Sequence, residues 1–105
     1  DLSFDVIVID PPSFARNKKR TFSVAKDYHR LVAQALEILN PQGIMILSTN
    51  AANLSKSKFK QEIEKGLAGR KHRYLAEYGL PADFVYNKKD GSSNYLKVFT
   101  IKVDQ

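Results

Sequence analysis

Apolar and polar positions along the chain fall into blocks of different period. Phe4 opens a run that continues through Val6-Ile7-Val8-Ile9. An unbroken β-branched run predicts a strand buried on both faces, as in a parallel sheet. Asp10-Pro11-Pro12 ends it, because proline has no N–H for the ladder and fixes its own φ. From Tyr28 the period changes. Tyr28, Leu31, Val32, Ala35, Leu36 and Leu39 recur three and four residues apart, one stripe of an amphipathic helix with Ser23 as its N-cap. Asn40-Pro41-Gln42-Gly43 predicts the stop, since proline cannot continue a helix and glycine suits a turn. Ile44-Met45-Ile46-Leu47 is a second buried strand, ending at Ser48-Thr49-Asn50. Strand, helix, Pro-x-Gly turn and strand make a parallel βαβ unit, right-handed by the general rule.

A second helix is predicted from about Ser57 to Leu67, with Phe59, Ile63 and Leu67 on one face and Gly66 and Gly69 marking its end. Lys58/Glu62 and Lys60/Glu64 have the spacing of i, i+4 ion pairs on its outer side. Arg73 to Gly79 reads as a strand with Tyr74, Ala76 and Tyr78 alternating. Tyr95 to Val103 is a last strand, apolar on both faces and so inserted in the sheet. Ser13–Phe22 and Leu80–Ser93 lack periodicity and read as loops. The whole is one small α/β domain of 105 residues.

Composition narrows the function classes. Seventeen basic residues against eleven acidic give a net charge of +6. The excess clusters at Arg16-Asn17-Lys18-Lys19-Arg20, Arg70-Lys71-His72-Arg73 and Lys88-Lys89. Such clusters suit a polyanion such as RNA, through counterion release at phosphates, or form a solvated surface. The first cluster follows the Asp-Pro-Pro turn directly and would flank whatever binds there. The chain has no cysteine, which excludes disulfides and thiolate metal sites within it. His29 and His72 are too far apart in sequence to suggest a metal set, and no apolar run approaches the ~18 residues of a membrane span. These features fit a reducing cytoplasm.

The candidate chemistry lies at Asp10. In open α/β sheets ligands bind at the carboxyl ends of the strands. Asp10-Pro11-Pro12 holds a carboxylate there on a stiff turn, and Phe14 follows four residues later. The plain alternatives are an aspartate that caps a local turn and a phenylalanine that belongs to the core.

Asp10-Pro11-Pro12-Ser13-Phe14 resembles the Asp/Asn-Pro-Pro-x-aromatic motif of class I, Rossmann-like, S-adenosylmethionine-dependent methyltransferases. The longer form, with basic residues following, is similar to that of large-subunit ribosomal RNA methyltransferases of the m5C and m7G types. The resemblance implies the C-terminal half of the catalytic domain, residues 1–105 supplying strands four to seven, with the antiparallel last strand inserted between strands five and six. It implies S-adenosylmethionine as cofactor, approached by Asp10 and Pro11 at its methionine end, and RNA as partner, met by Arg16, Lys18, Lys19 and Arg20. Asp10 and the Pro11 carbonyl would accept the N–H groups of a base, Pro12 would keep the backbone rigid, and Phe14 would stack on the ring, a contact of about 1–3 kcal/mol. A base in a duplex would first be flipped out.

Two departures from the pattern shape the expectation. The m5C enzymes use a cysteine thiolate after the second strand, whereas this chain has Leu47-Ser48-Thr49-Asn50 there and no cysteine. Direct transfer to nitrogen is therefore favoured over covalent attack at cytosine C5. No Gly-x-Gly-x-x-Gly occurs, so the cofactor-binding half would lie upstream of Asp1 and the isolated chain is expected to be inactive. The first strand would then expose an edge and pair copies of the chain. Other readings are a methyltransferase for DNA adenine or a protein amide, and a non-catalytic nucleic-acid-binding module using Arg16–Arg20 and Arg70–Arg73.

Overall fold

The computed structural model describes residues 2–12, 14–16, 21–78 and 96–104. The elements in chain order are β1 (Phe4–Ile9), β2 (Phe14–Arg16), β3 (Thr21–Ser23), α1 (Val24–Leu36), β4 (Leu39–Thr49), α2 (Lys56–Leu67), β5 (His72–Tyr78) and β6 (Lys97–Val103). One four-stranded sheet runs β1-β4-β6-β5, and β2 pairs with β3 alone. β1 and β4 are parallel, and β6 is antiparallel to both of its neighbours. The last strand is thus inserted between β4 and β5, as its two apolar faces require.

Both helices cover the same face of the sheet. Val24, Tyr28, Val32, Ala35 and Leu36 of α1 and Phe59, Ile63 and Leu67 of α2 join Met45, Leu47, Phe99, Ile101 and Val103 in one buried cluster. The strand residues alternate with Ile44, Ile46, Val98 and Thr100, which are only half-buried on the other face. β1 departs from the sequence expectation. Val6 is 53% and Val8 64% exposed, while Ile7 and Ile9 pack against the core. The cause is position: β1 is an edge strand, and no described element lies over its second face.

Local differences have local causes. α1 stops at Leu36, three residues before the end of its apolar stripe, and Leu39 begins an extended segment whose first partner in β1 is Phe4. In the turn that follows, Gln42 rather than Gly43 takes the positive φ, 68°. Gly43 is needed for space: a Cβ there would lie 2.5 Å from Leu39 Cδ1 and 2.7 Å from the Asn40 carbonyl oxygen. Ser23 caps α1 through its backbone, its N–H donating to Asp27 Oδ2 at 2.9 Å. Ser55 caps α2 by accepting the Lys58 N–H at 3.2 Å. Gly66 lies within α2, not beyond it, and the helix closes on Ala68 in the left-handed conformation.

The predicted loop at Ser13–Phe22 contains the short hairpin of β2 and β3, with Phe14 opposite Ser23 and Arg16 opposite Thr21. Strands of three residues are too short to leave a period in sequence. β5 carries a bulge between Tyr74 and Ala76, so Tyr74 and Tyr78 fall on opposite faces instead of alternating together. Tyr74 is registered with Ile101 on the helix side, Tyr78 with Val98 on the open side. The i, i+4 pairs expected on α2 give way to tertiary ones. Glu62 binds His29 of α1 at 2.9 Å, and Glu64 binds His72 of β5 at 2.9 Å. The Leu80–Ser93 loop and Tyr95 lie outside the described residues.

Candidate active site

β1 and β4 run parallel, so their carboxyl ends emerge side by side. Their last registered pair is Ile9 with Leu47. One residue further, Ser48 Oγ donates to Asp10 Oδ1 at 2.7 Å. A hydroxyl on a carboxylate is a charge-assisted bond, stronger than one between neutral groups. Asp10 is exposed, Pro11 half-buried and Pro12 exposed. The carboxylate is therefore steadied by the neighbouring strand, 38 residues away in sequence. Its second oxygen accepts no bond from any described residue.

Tyr28 of α1 reaches the same strand ends from beneath. Its hydroxyl lies 2.8 Å from the Ser48 carbonyl oxygen and 3.2 Å from that of Ile9. Burial above all, with the Asp10 charge adding to it, pushes the phenol well above its ordinary value, so it stays a donor through the physiological range. In β4, Thr49 Oγ1 accepts the Ala51 N–H at 3.1 Å. Of the Ser-Thr-Asn stretch, Ser48 thus serves the carboxylate and Thr49 the backbone.

Lys97 of β6 lies opposite Thr49 and is 8% exposed, its ammonium donating to the Ala51 carbonyl at 3.2 Å. Removal from water lowers its pKa. A buried cation close to the strand ends had no sequence signal, because Lys97 reads as one polar member of a strand. Tyr28 had a partial signal: a tyrosine in a core stripe carries a polar tip that needs a partner. Ser48 had none beyond its place after a strand.

Of the other sequence-derived candidates, Phe14 begins β2 and Arg16 ends it, so the hairpin follows the Asp-Pro-Pro turn closely in sequence. Lys18, Lys19 and Arg20 lie outside the described residues. Among the described residues no cluster of three or more His, Cys, Asp or Glu side chains is arranged to hold a metal, and no helix is long and apolar enough to cross a membrane.

No family model matches the chain. Individual proteins do. The chain is 42% identical over 104 residues to "Putative ribosomal RNA large subunit methyltransferase YwbD" of Bacillus subtilis (strain 168), covering 97% of this chain and 26% of that protein. It is 37% identical over 92 residues to "Ribosomal RNA large subunit methyltransferase K/L" of Aliivibrio fischeri (strain ATCC 700601 / ES114), covering 84% and 12% respectively. Among solved structures, "Crystal structure of SMU.776, a putative methyltransferase complexed with SAH" superposes with a TM-score of 0.82 at 62% identity, over 97% of this chain and 27% of that one. The chain spans about a quarter of the YwbD protein and of the SMU.776 chain, and less of the K/L protein. Sequence and fold agree: the chain has the fold of a part of the class I, Rossmann-like methyltransferases and is homologous over that part to proteins named as ribosomal RNA large subunit methyltransferases.

Proposed function

We propose that this chain is the acceptor-binding part of an S-adenosylmethionine-dependent enzyme that methylates a base of large-subunit ribosomal RNA, with direct transfer to nitrogen. The observation that carries the reading is the Asp10 carboxylate on the Pro11-Pro12 turn, steadied on one oxygen by Ser48 and with no described partner on the other. A base nitrogen attacks with its lone pair and holds its N–H groups out to acceptors. Asp10 and the Pro11 carbonyl supply those acceptors, aligning the nitrogen and raising its nucleophilicity by position and charge. Pro12 keeps the turn stiff, and Phe14 stacks on the base. When bound, the cofactor would supply an electrophilic methyl on a sulfonium, and Asp10 and Pro11 are the residues that would meet its methionine end. Covalent attack at cytosine C5 would need a thiolate from outside this chain, which has no cysteine.

The names of the relatives and the SAH in the SMU.776 crystal support this substrate and cofactor. Arg16, Lys18, Lys19 and Arg20, which follow the Asp-Pro-Pro turn in sequence, are assigned to the RNA backbone. Action on ribosomal RNA places the enzyme in the cytoplasm. Residues 1–105 correspond in this reading to strands four to seven, the Gly-rich cofactor loop belonging to a preceding segment. The 105-residue chain alone is then inactive, and full methyl transfer by it in purified form would refute the assignment.

The direct test is calorimetry with S-adenosylmethionine on the full-length protein containing this chain, beside methyl transfer to ribosomal RNA, each repeated with Asp10→Ala. The parent should bind the cofactor, and the variant should lose about 100-fold or more in turnover. A parent that binds no cofactor, or a variant with unchanged turnover, would remove the reading.

A further inference from the structure

The Tyr28 hydroxyl carries one proton and stands between two carbonyl oxygens, of Ser48 at 2.8 Å and of Ile9 at 3.2 Å. Carbonyls only accept, so the proton is shared, with the shorter bond to Ser48. The two carbonyls belong to adjacent parallel strands at the point where the registered ladder ends, at Ile9 and Leu47. The phenol therefore ties the chains together at the place where backbone pairing stops. Just beyond it, the Ser48 hydroxyl lies 2.7 Å from Asp10 Oδ1 and 3.4 Å from the Ile9 carbonyl oxygen. The ring itself is immobilised. It is fully buried and meets Phe59 edge-on at 4.8 Å and 76°, and Phe59 packs in turn on Phe99. Phenylalanine would make the same ring contacts, so packing does not account for the hydroxyl.

We propose that Tyr28 is a positioning residue for the Asp10 turn: its shared proton sets the separation of the two strand ends and so keeps the Ser48 hydroxyl on the Asp10 carboxylate. The proposal rests on reading Asp10 as the carboxylate that holds the acceptor base. Ser48 occupies one carboxylate oxygen, and the other, with no partner among the described residues, is the one proposed to take an N–H of that base. Alignment of nucleophile and methyl tolerates little error, a drift of about 1 Å costing on the order of 100-fold in rate. A tether at the base of the turn limits that drift without touching substrate.

The experiment compares Tyr28→Phe, Ser48→Ala, the double variant and Asp10→Asn in the full-length protein. The readouts are steady-state methyl transfer to large-subunit ribosomal RNA and a crystal structure of Tyr28→Phe. The tether predicts a kcat lowered by about tenfold to 100-fold in each single variant, KM values for cofactor and RNA within about twofold, and a double variant no worse than the poorer single one. It also predicts a Ser48–Asp10 contact lengthened beyond hydrogen-bonding distance, about 3.5 Å, in the Tyr28→Phe crystal. An unchanged kcat, or an unchanged Ser48–Asp10 contact, would overturn it. Equal turnover in the parent and Asp10→Asn would instead remove the reading of Asp10, and the Ser48–Asp10 distance in the crystal would still decide the tether.

Discussion

At the scale of single residues, the site depends on polar atoms placed in apolar surroundings. Tyr28 is the clearest case, a fully buried ring whose one polar atom is satisfied by two carbonyls. Tyr28→Phe keeps the packing and leaves those carbonyls without their donor. The expected cost is about 1–3 kcal/mol of folding stability, measured by urea titration. A value near zero would mean that water or neighbouring groups replace the phenol. Gly66 shows the opposite economy, a residue chosen for what it lacks. A Cβ there would come within 2.6 Å of the His29 carbonyl oxygen and of Val32 Cβ, so glycine sets how closely α2 approaches α1. Reading Gly66 as a helix terminator was natural from sequence, since glycine ends helices often and the helix crossing is a tertiary fact.

At the scale of elements, α2 is fastened to its neighbours by carboxylates. Glu62 accepts from the His29 ring and backbone N–H of α1. Glu64 accepts from His72 and Tyr74 of β5, and Lys56 pairs with Glu77 of the same strand at 2.8 Å. The His72 ring is held by the Arg70 carbonyl on one nitrogen and Glu64 on the other, which favours the doubly protonated form. Burial alone would lower its pKa, but those two partners outweigh it and raise the value above 6.5. For Glu64, burial acts upward, and the bonds from Tyr74 and His72 bring the net value below 4.5. The histidine contribution to stability is full below its unfolded value and is lost as pH rises through the higher folded one. The glutamate contribution is full above its unfolded value and is lost as pH falls through the lower folded one. The pair is therefore strongest between pH 4.5 and 6.5. Glu64 is largely exposed, so the effect is screened and stays below about 1 kcal/mol. Urea titrations from pH 5 to 8 should show stability falling across the upper half of that range, and His72→Gln should flatten the fall. An equal slope in parent and variant would assign the pH dependence to other groups.

At the scale of the whole molecule, one face of the sheet is built and the other is bare among the described residues. Phe4 is 44%, Val6 53% and Val8 64% exposed along β1, with Leu2 79% exposed just before it, and the strand is an edge. An apolar edge with free pairing groups invites a second strand. The isolated chain should therefore associate with itself, its scattering mass rising with concentration, and Val8→Lys should shift it toward monomer. A monomer mass held across the concentration range would refute this. The β2–β3 hairpin adds a separate feature, pairing Arg16 with Thr21 on backbone hydrogen bonds rather than on an apolar period.

The sequence alone determined the order of the major elements, the interior position of β6 and the place of the candidate carboxylate. Each is encoded locally, in a period of two or three to four, a proline that cannot pair, or apolar residues on both faces of one strand. Tertiary structure decided what those signals do not contain. Ser48 meets Asp10 because two parallel strands end together, and Tyr28 meets the Ser48 and Ile9 carbonyls because α1 passes beneath them. Glu62 and Glu64 find histidines on other elements rather than lysines on their own. Val6 and Val8 remain exposed because burial depends on what lies over a strand, and the strand's own residues cannot supply that cover.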